Sequence, residues 1–166
     1  GGMMSDCKES LAAWLRGALR LDTLGAKLRE VGMRLSYHNH AGEFERFPED
    51  SRYKLDILYE STNPKNLYME LDTCWAQVGG VEPAAYIRKY PGRCPLIHVK
   101  DMRAERNAKG GPVFVPLGDG VLNWDAIFAA ARESGVEWCI YEQDSHEGDL
   151  FECVKKSYQF LAKNLT

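Results

Sequence analysis

The sequence predicts an α/β protein built on a four-stranded parallel sheet. Four short apolar runs of strand length alternate with segments whose apolar residues recur at helical spacing. Such alternation is typical of right-handed strand–helix–strand units, which place successive strands side by side and parallel. The chain has 166 residues, of which 45% are hydrophobic, and this is enough for a packed core. We therefore expect residues 1–166 to form one domain.

The first helix is predicted over residues 11–31, where apolar side chains are spaced i, i+3, i+4 and i+7. Ser10 can cap its beginning, and Gly32 can end it. Residues 1–9, which start with two glycines before Met3, have the composition of a tag remnant or a disordered N-terminus. Further helices are predicted at residues 54–61, 82–90 and 124–134 and after Asp149.

Strands are expected at residues 33–38, 67–72, 95–100 and 136–142. Between the third strand and the next helix lies a polar connection, residues 101–121. It contains Gly110-Gly111-Pro112 and Gly118-Asp119-Gly120 and is expected to be a loop. A closed eight-stranded barrel needs about 200 residues or more. Four strand–helix units therefore form either a small open α/β sheet or half of a barrel.

Composition argues against several classes of protein. The formal net charge is −3 and there is no basic stripe, so we expect no nucleic-acid partner. No apolar run approaches the roughly 20 residues that span a bilayer, and the N-terminus does not resemble a signal peptide. The number of cysteines is odd, and no Cys-x-x-Cys pair occurs. We therefore expect reduced thiols in a cytoplasmic protein at Cys7, Cys74, Cys94, Cys139 and Cys153.

Every predicted strand ends in polar residues. The ends are His38-Asn39-His40 followed by Glu43, then Glu70-Leu71-Asp72, His98 with Lys100-Asp101, and Glu142-Gln143-Asp144. Because the carboxyl ends of parallel strands lie at one edge of a sheet, these side chains are expected to converge there. Mixed imidazole and carboxylate ligands suit one divalent cation, and Mn²⁺, Zn²⁺, Co²⁺ and Mg²⁺ are all compatible.

Each of these residues also has a simpler interpretation. His98 could be a hydrogen-bonded core histidine, Asp72 a helix cap and Glu142 a surface charge. Charged groups at the ends of all four strands are harder to explain in this way than a charged group at a single strand end. The joint pattern therefore favours a metal site.

Several ordered motifs carry a resemblance to a known family. The stretch YHNHAGEFE (37–45) is similar to the His-Asn-His-x-x-Glu-Phe signature of sugar phosphate isomerases/epimerases. Residues 71–102 resemble the next two strand regions of that family, including its His-Val-Lys-Asp element. PLGDGVLNW (116–124) and EWCIYEQD (137–144) resemble its last two blocks. From about Leu11 onward, the chain thus resembles the C-terminal half of a xylose-isomerase-like TIM barrel.

The resemblance implies a (β/α) half-barrel whose four parallel strands correspond to strands five to eight, with one divalent cation at their ends. Its implied ligands are Glu43, Asp72, His98 and Glu142, with His38 and His40 as alternative ligands or substrate-facing groups. Glu142 and either Glu43 or His38 are the implied acid/base pair. Trp75 stands where related epimerases often have a histidine. Trp75 could stack on a sugar ring, and His40 is a further candidate for substrate binding. Lys100 could neutralise oxyanion charge, and Arg103 or Arg106 could hold a phosphate or sugar hydroxyls, although a solvated surface role is equally open for these three cations.

The activity implied is isomerisation or epimerisation of a sugar or sugar phosphate through an enediolate. Dehydration, as in inosose dehydratases, is a close alternative, and a catalytically inactive half-barrel that only binds metal or sugar is another. A relative of endonuclease IV is disfavoured, because four histidines and a net charge of −3 do not suit a multi-zinc nuclease. A half-barrel exposes two strand edges and an apolar concave face, so we expect a homodimer.

Overall fold

A computed structural model describes residues 2–165. Its main sheet has four parallel strands in the order β1-β2-β3-β6, and a separate antiparallel hairpin is formed by β4 and β5. The strands are β1 (Leu35–His38), β2 (Leu67–Asp72), β3 (Leu96–Val99), β4 (Asp101–Arg106), β5 (Pro112–Val115) and β6 (Trp138–Tyr141). The structure thus confirms the predicted α/β fold and the four-stranded parallel sheet.

Helices alternate with the strands of the main sheet, and the first helix begins after Ser10 as predicted. They are α1 (Leu11–Glu30), α2 (Lys54–Glu60), α3 (Thr73–Val78), α4 (Pro83–Lys89), α5 (Trp124–Ser134) and α6 (Leu150–Asn164). The side chains of Ser10, Asn123 and Asp149 accept backbone N–H bonds at the starts of α1, α5 and α6. Gly135 ends α5 with a φ of +77°, a conformation that favours glycine.

The core lies between the sheet and the helices. Alternate residues of β2 and β3 point to this side and are fully buried, namely Leu67, Met69, Leu71, Ile97 and Val99. They pack in one cluster with apolar residues of α2, α4 and α5. The other face of the same strands carries Glu70, Asp72 and His98, so the alternation assigns the chemistry-bearing residues to the concave side.

Three segments differ from the sequence-based prediction. Residues 1–9 were expected to be a tag remnant or a disordered N-terminus, but Ser5–Cys7 form a short 3₁₀ helix, and Met3 and Cys7 are buried in the core. Residues 101–121, expected to be a loop, contain the β4–β5 hairpin, and residues 73–78, given no structure in advance, form α3. In the hairpin turn, Asn107 N donates to the carbonyl of Gly111.

None of the helices in residues 2–165 combines the length and apolar character required to cross a membrane.

The concave face and both sheet edges are open. β1 and β6 are the edge strands. On the concave side of β6, Trp138 is 64% exposed and Ile140 is 37% exposed. Two large apolar side chains of α6 are also exposed, since Phe151 is 81% exposed and Tyr158 is 70% exposed. The buried residues of α6 are Cys153 and Ser157.

Candidate metal centre

Parallel register brings the strand ends together. His38 lies beside Glu70, Asp72 lies beside His98, and Glu142 follows directly after β6. One ligand atom each from His38, Asp72, His98 and Glu142 lies within 4.8 Å of the others. We call these four residues the rim group. Sequence reasoning predicted three of them as metal ligands and kept His38 as an alternative.

Asp72 is fully buried, and its two oxygens have different surroundings. Oδ1 accepts the backbone N–H of Trp75 at 2.8 Å and so caps α3. Oδ2 has no hydrogen-bond partner among residues 2–165, although Lys100 Nζ lies 3.2 Å away. Burial raises the pKa of Asp72, and the charge of Lys100 opposes this rise. The simpler interpretation of Asp72 as a helix cap is therefore correct for one oxygen, while the other faces the rim group.

His38 is suited to coordinate a cation. Its Nδ1 is buried and has no hydrogen-bond partner within the described part of the chain. Burial, together with the neighbouring His98 and His40, lowers the pKa of His38 to about 4. At neutral pH its imidazole is uncharged, which is the form that binds metal ions.

His98 is held between two carboxylates. Its Nδ1 lies 2.7 Å from Glu142 Oε2, and its Nε2 lies 2.8 Å from Glu70 Oε1. Burial alone would raise the pKa of Glu142. Hydrogen bonds from His98 and Lys100 outweigh this effect and lower the pKa to about 2. Glu142 is therefore a carboxylate at neutral pH, and its side chain remains 37% exposed toward the open face.

Lys100 brings a buried positive charge to the rim group. Its side chain is 1% exposed, and Nζ lies 3.0 Å from Glu142 Oε2 and 2.9 Å from Asp144 Oδ2. Burial alone would lower the pKa of Lys100, but Asp72, Asp144 and Glu142 outweigh burial and raise it. The ammonium is thus already paired with carboxylates. Lys100 is therefore not a solvated surface charge, and its predicted action on a substrate oxyanion stays a prediction.

Glu43, the residue preferred in advance as the first ligand, lies outside the rim group. It is buried, and its Oε1 accepts the Tyr37 hydroxyl while its Oε2 accepts the backbone N–H of His40, both at 2.9 Å. These bonds stabilise the short 3₁₀ turn Ala41–Phe44. His38 takes the place assigned to Glu43, because β1 ends at His38 with that side chain on the concave face.

Other predicted substrate-binding residues surround the rim group at different depths. The ring of the exposed His40 lies 4.9 Å from that of His38 and 5.5 Å from that of Trp75. Trp75 is half-buried and also packs on Phe114. Arg103 and Arg106 lie in the exposed part of the hairpin. Within residues 2–165 neither makes an ion pair with the rim group, and Arg103 pairs with Glu147. A contact of these two arginines with a substrate therefore stays a prediction.

Three contacting residues stood among the polar strand ends but were given no individual role. Asn39 accepts the backbone N–H of Asp72 at 3.0 Å, Glu70 holds His98, and Asp144 holds Lys100. Glu70 could have been assigned a role from strand alternation, since it lies two residues before Asp72 and so shares its face. The His-Asn-His signature contains Asn39 but does not indicate its contact with Asp72.

The rim group fits a divalent cation by its chemistry. Two imidazoles and two carboxylates form a mixed ligand set of the kind that binds Zn²⁺, Mn²⁺ or Co²⁺. Within residues 2–165, Nδ1 of His38 has no hydrogen-bond partner, and Oδ2 of Asp72 has only its ion pair with Lys100. A buried polar atom without a partner is costly, and a bound cation would satisfy Nδ1 of His38 and add a second partner to Oδ2 of Asp72.

Comparison with known proteins agrees with this architecture. The family model described as xylose isomerase-like TIM barrel matches residues 2–164. An inosose dehydratase of Lacticaseibacillus casei is 31% identical over 164 residues, covering 89% of this chain and 53% of that protein. Inosose dehydratase 1 of Bacillus cereus is 29% identical, with the same coverage. The chain thus spans about half the length of these curated relatives.

A solved structure supports the same assignment. The crystal structure of a sugar phosphate isomerase/epimerase from Parabacteroides distasonis ATCC 8503 superposes with a TM-score of 0.79 at 27% identity, covering 92% of this chain and 53% of that one. The parallel sheet, the matched family model and this superposition lead to one conclusion. The chain belongs to the xylose isomerase-like TIM barrel family.

Proposed function

We propose that this chain carries the metal centre of a carbohydrate enzyme that removes a proton from the carbon next to a carbonyl of a keto sugar or keto cyclitol. The convergence of His38, Asp72, His98 and Glu142 within 4.8 Å is the observation that carries this proposal. When bound, a divalent cation in this group would polarise the carbonyl oxygen and stabilise the charge of the enediolate.

Glu142 is our candidate for the base. Its carboxylate is ionised at neutral pH, and it is the member of the rim group most open to solvent and therefore to a substrate. His38 is our candidate for the second proton-transfer group, since Glu43 is engaged in the turn after β1. Lys100 supports both steps indirectly by holding Glu142 in place.

Two fates of the enediolate define the two candidate activities. Return of the proton to either carbon gives isomerisation or epimerisation, which the P. distasonis structure favours by its name. Departure of a hydroxyl group from the neighbouring carbon, as water after protonation, gives a dehydratase. The inosose dehydratases favour this second activity. Both activities begin with the same proton removal, so one experiment tests both.

We expect the protein, supplied with Mn²⁺ or Zn²⁺ in D₂O, to exchange the proton next to the carbonyl in a panel of keto sugars, their phosphates and an inosose. NMR separates the fates, because an epimerase keeps every hydroxyl group and a dehydratase loses one. The Glu142→Gln variant should lower the rate at least about 100-fold, as expected for loss of a general base. Glu147→Gln, which changes a 75% exposed carboxylate, is the matched control and should be unaffected. Absence of exchange with every metal would leave a binding half-barrel without turnover.

We further propose that two copies of the chain pair through the open concave face. Among residues 2–165, no further strand pairs with either edge of the parallel sheet, and Trp138 and Ile140 present apolar surface on the same face as His98. Parallel sheets are normally covered on both faces, and exposed edges readily pair with other strands. A second copy would cover the concave face and supply the opposite wall of the substrate pocket.

Light scattering after size exclusion is therefore expected to give the mass of a dimer at micromolar concentration. Trp138→Ser should weaken association at least about 10-fold, since buried tryptophans contribute strongly to interfaces. Val31→Ser changes a 71% exposed residue at the end of α1, away from the concave face, and should leave the mass unchanged. A wild-type protein that elutes as a single monomeric species contradicts the proposal.

A further inference from the structure

Glu70 occupies a defined place beside the rim group without belonging to it. It lies on the concave face of β2, two residues before Asp72, and pairs in register with His38 on one side and Leu96 on the other. Its side chain is 21% exposed. Its Oε1 lies 2.8 Å from His98 Nε2, on the opposite side of the imidazole from Glu142.

Both ring nitrogens of His98 face carboxylates when no cation is bound. A carboxylate offers only acceptors, so Nε2 donates to Glu70 and, by the same argument, Nδ1 donates to Glu142. A cation in the rim group would need a ring lone pair, and Nδ1 is the nitrogen on that side. Nδ1 would then give up its proton, and the single N–H of the neutral imidazole would remain on Nε2, where Glu70 accepts it. Histidines that bind metal ions usually donate their other N–H to a carboxylate or carbonyl in this way.

We propose that Glu70 is a positioning residue that fixes the tautomer and ring orientation of His98, so that Nδ1 is the atom presented to the cation. The inference rests on the proposed function in one respect, namely that a divalent cation binds the rim group. The hydrogen bond itself does not depend on the cation. The two can therefore be tested separately.

The first test measures affinity for Zn²⁺ by competition with a chromogenic chelator at fixed pH. Glu70→Leu removes the acceptor and should weaken Zn²⁺ binding about 10- to 100-fold, the usual effect of losing a residue that orients a ligand. Glu70→Gln keeps the shape, but its amide can either accept or donate and no longer enforces one tautomer. It should bind Zn²⁺ with an affinity between those of the wild type and Glu70→Leu.

Tyr68→Leu is the matched control, because Tyr68 lies on the same face of β2 and contacts Arg34 rather than His98. It should bind Zn²⁺ like the wild type, and circular dichroism should confirm that all variants are folded. A purely structural role for Glu70 predicts that Glu70→Gln leaves the affinity unchanged. That result, or unchanged affinity in folded Glu70→Leu, overturns the inference.

The second test uses ¹⁵N spectra of the histidine rings in the metal-free protein. The wild type should show a hydrogen-bonded Nε2–H at His98, and Glu70→Leu should lose it. Absence of this signal from the wild type overturns the assignment of Glu70. Failure of the wild type to bind Zn²⁺, Mn²⁺, Co²⁺ or Mg²⁺ instead contradicts the proposed function, and the ring spectrum then decides the role of Glu70 alone.

Discussion

Lys100→Met is expected to lower the free energy of unfolding of the metal-free protein by about 3–5 kcal/mol, the usual cost of removing one partner from a buried ion pair. The reason is the environment of the lysine. Asp72 is fully buried, and Lys100 Nζ, 3.2 Å from Oδ2, is the cation that faces this oxygen. Without Nζ, the carboxylates of Asp72 and Glu142, which each place an oxygen within 4.8 Å of the other, would lose the positive charge that they share.

A divalent cation should reverse part of this loss. The ammonium and a metal ion in the rim group would share the same carboxylates and repel each other. Zn²⁺ is therefore expected to raise the melting temperature of Lys100→Met by more than it raises that of the wild type. Differential scanning calorimetry with and without Zn²⁺ measures both effects.

The matched control is Lys156→Met, which breaks an exposed ion pair with Asp119 and should cost less than about 1 kcal/mol. Lys100→Met combined with Asp72→Asn removes both charges and should recover part of the stability, because neither partner is left uncompensated. Equal stability of Lys100→Met and Lys156→Met would show that the buried charges are not coupled. A smaller effect of Zn²⁺ on Lys100→Met than on the wild type would place the cation elsewhere.

The fold could be predicted from the sequence because its signals are local. Ser10, Asn123 and Asp149 mark helix starts through their own side-chain hydrogen bonds, and the apolar strands follow from their short runs between turns. The β4–β5 hairpin was not predicted, because four of the six residues of β4 are exposed and give no apolar alternation.

The convergence of Asp72, His98 and Glu142 was also predictable, since each ends a strand and parallel strands end at one edge. Whether His38 or Glu43 joins these three residues could not be predicted. It depends on where β1 ends and on the hydrogen bonds that Tyr37 and His40 make to Glu43. The burial of Lys100 could not be predicted either, because lysine is almost never fully buried unless it is paired, and its partners come from two other strands.

Asp101→Ala is expected to destabilise the protein by at least about 3 kcal/mol, because buried donors left without an acceptor cost about 1–3 kcal/mol each. Asp101 directly follows Lys100 and is 1% exposed. Its carboxylate accepts the indole N–H of Trp124 at 2.8 Å and four backbone N–H groups. These belong to Met102, Gly118, Gly120 and Leu122. Gly120 lies so close that a Cβ there would collide with Asp101 Oδ1.

This arrangement ties the start of the hairpin to the loop that precedes α5, and Phe114 of the hairpin in turn packs on Trp75 at the rim. Asp101→Asn is nearly isosteric but offers one accepting oxygen instead of two. It should lower the free energy of unfolding by less than Asp101→Ala does, but by more than the control variant Asp119→Ala does. Asp119→Ala, in the same loop, removes only an exposed ion pair and should cost less than about 1 kcal/mol.

Urea unfolding at one fixed protein concentration measures all three variants, since self-association would make stability depend on concentration. Hydrogen exchange should show faster opening at Gly118, Gly120 and Leu122 in Asp101→Ala alone. If the unfolding midpoints of the Asp101 and Asp119 variants coincide, the carboxylate does not hold this loop, and the hairpin must be positioned by its apolar contacts.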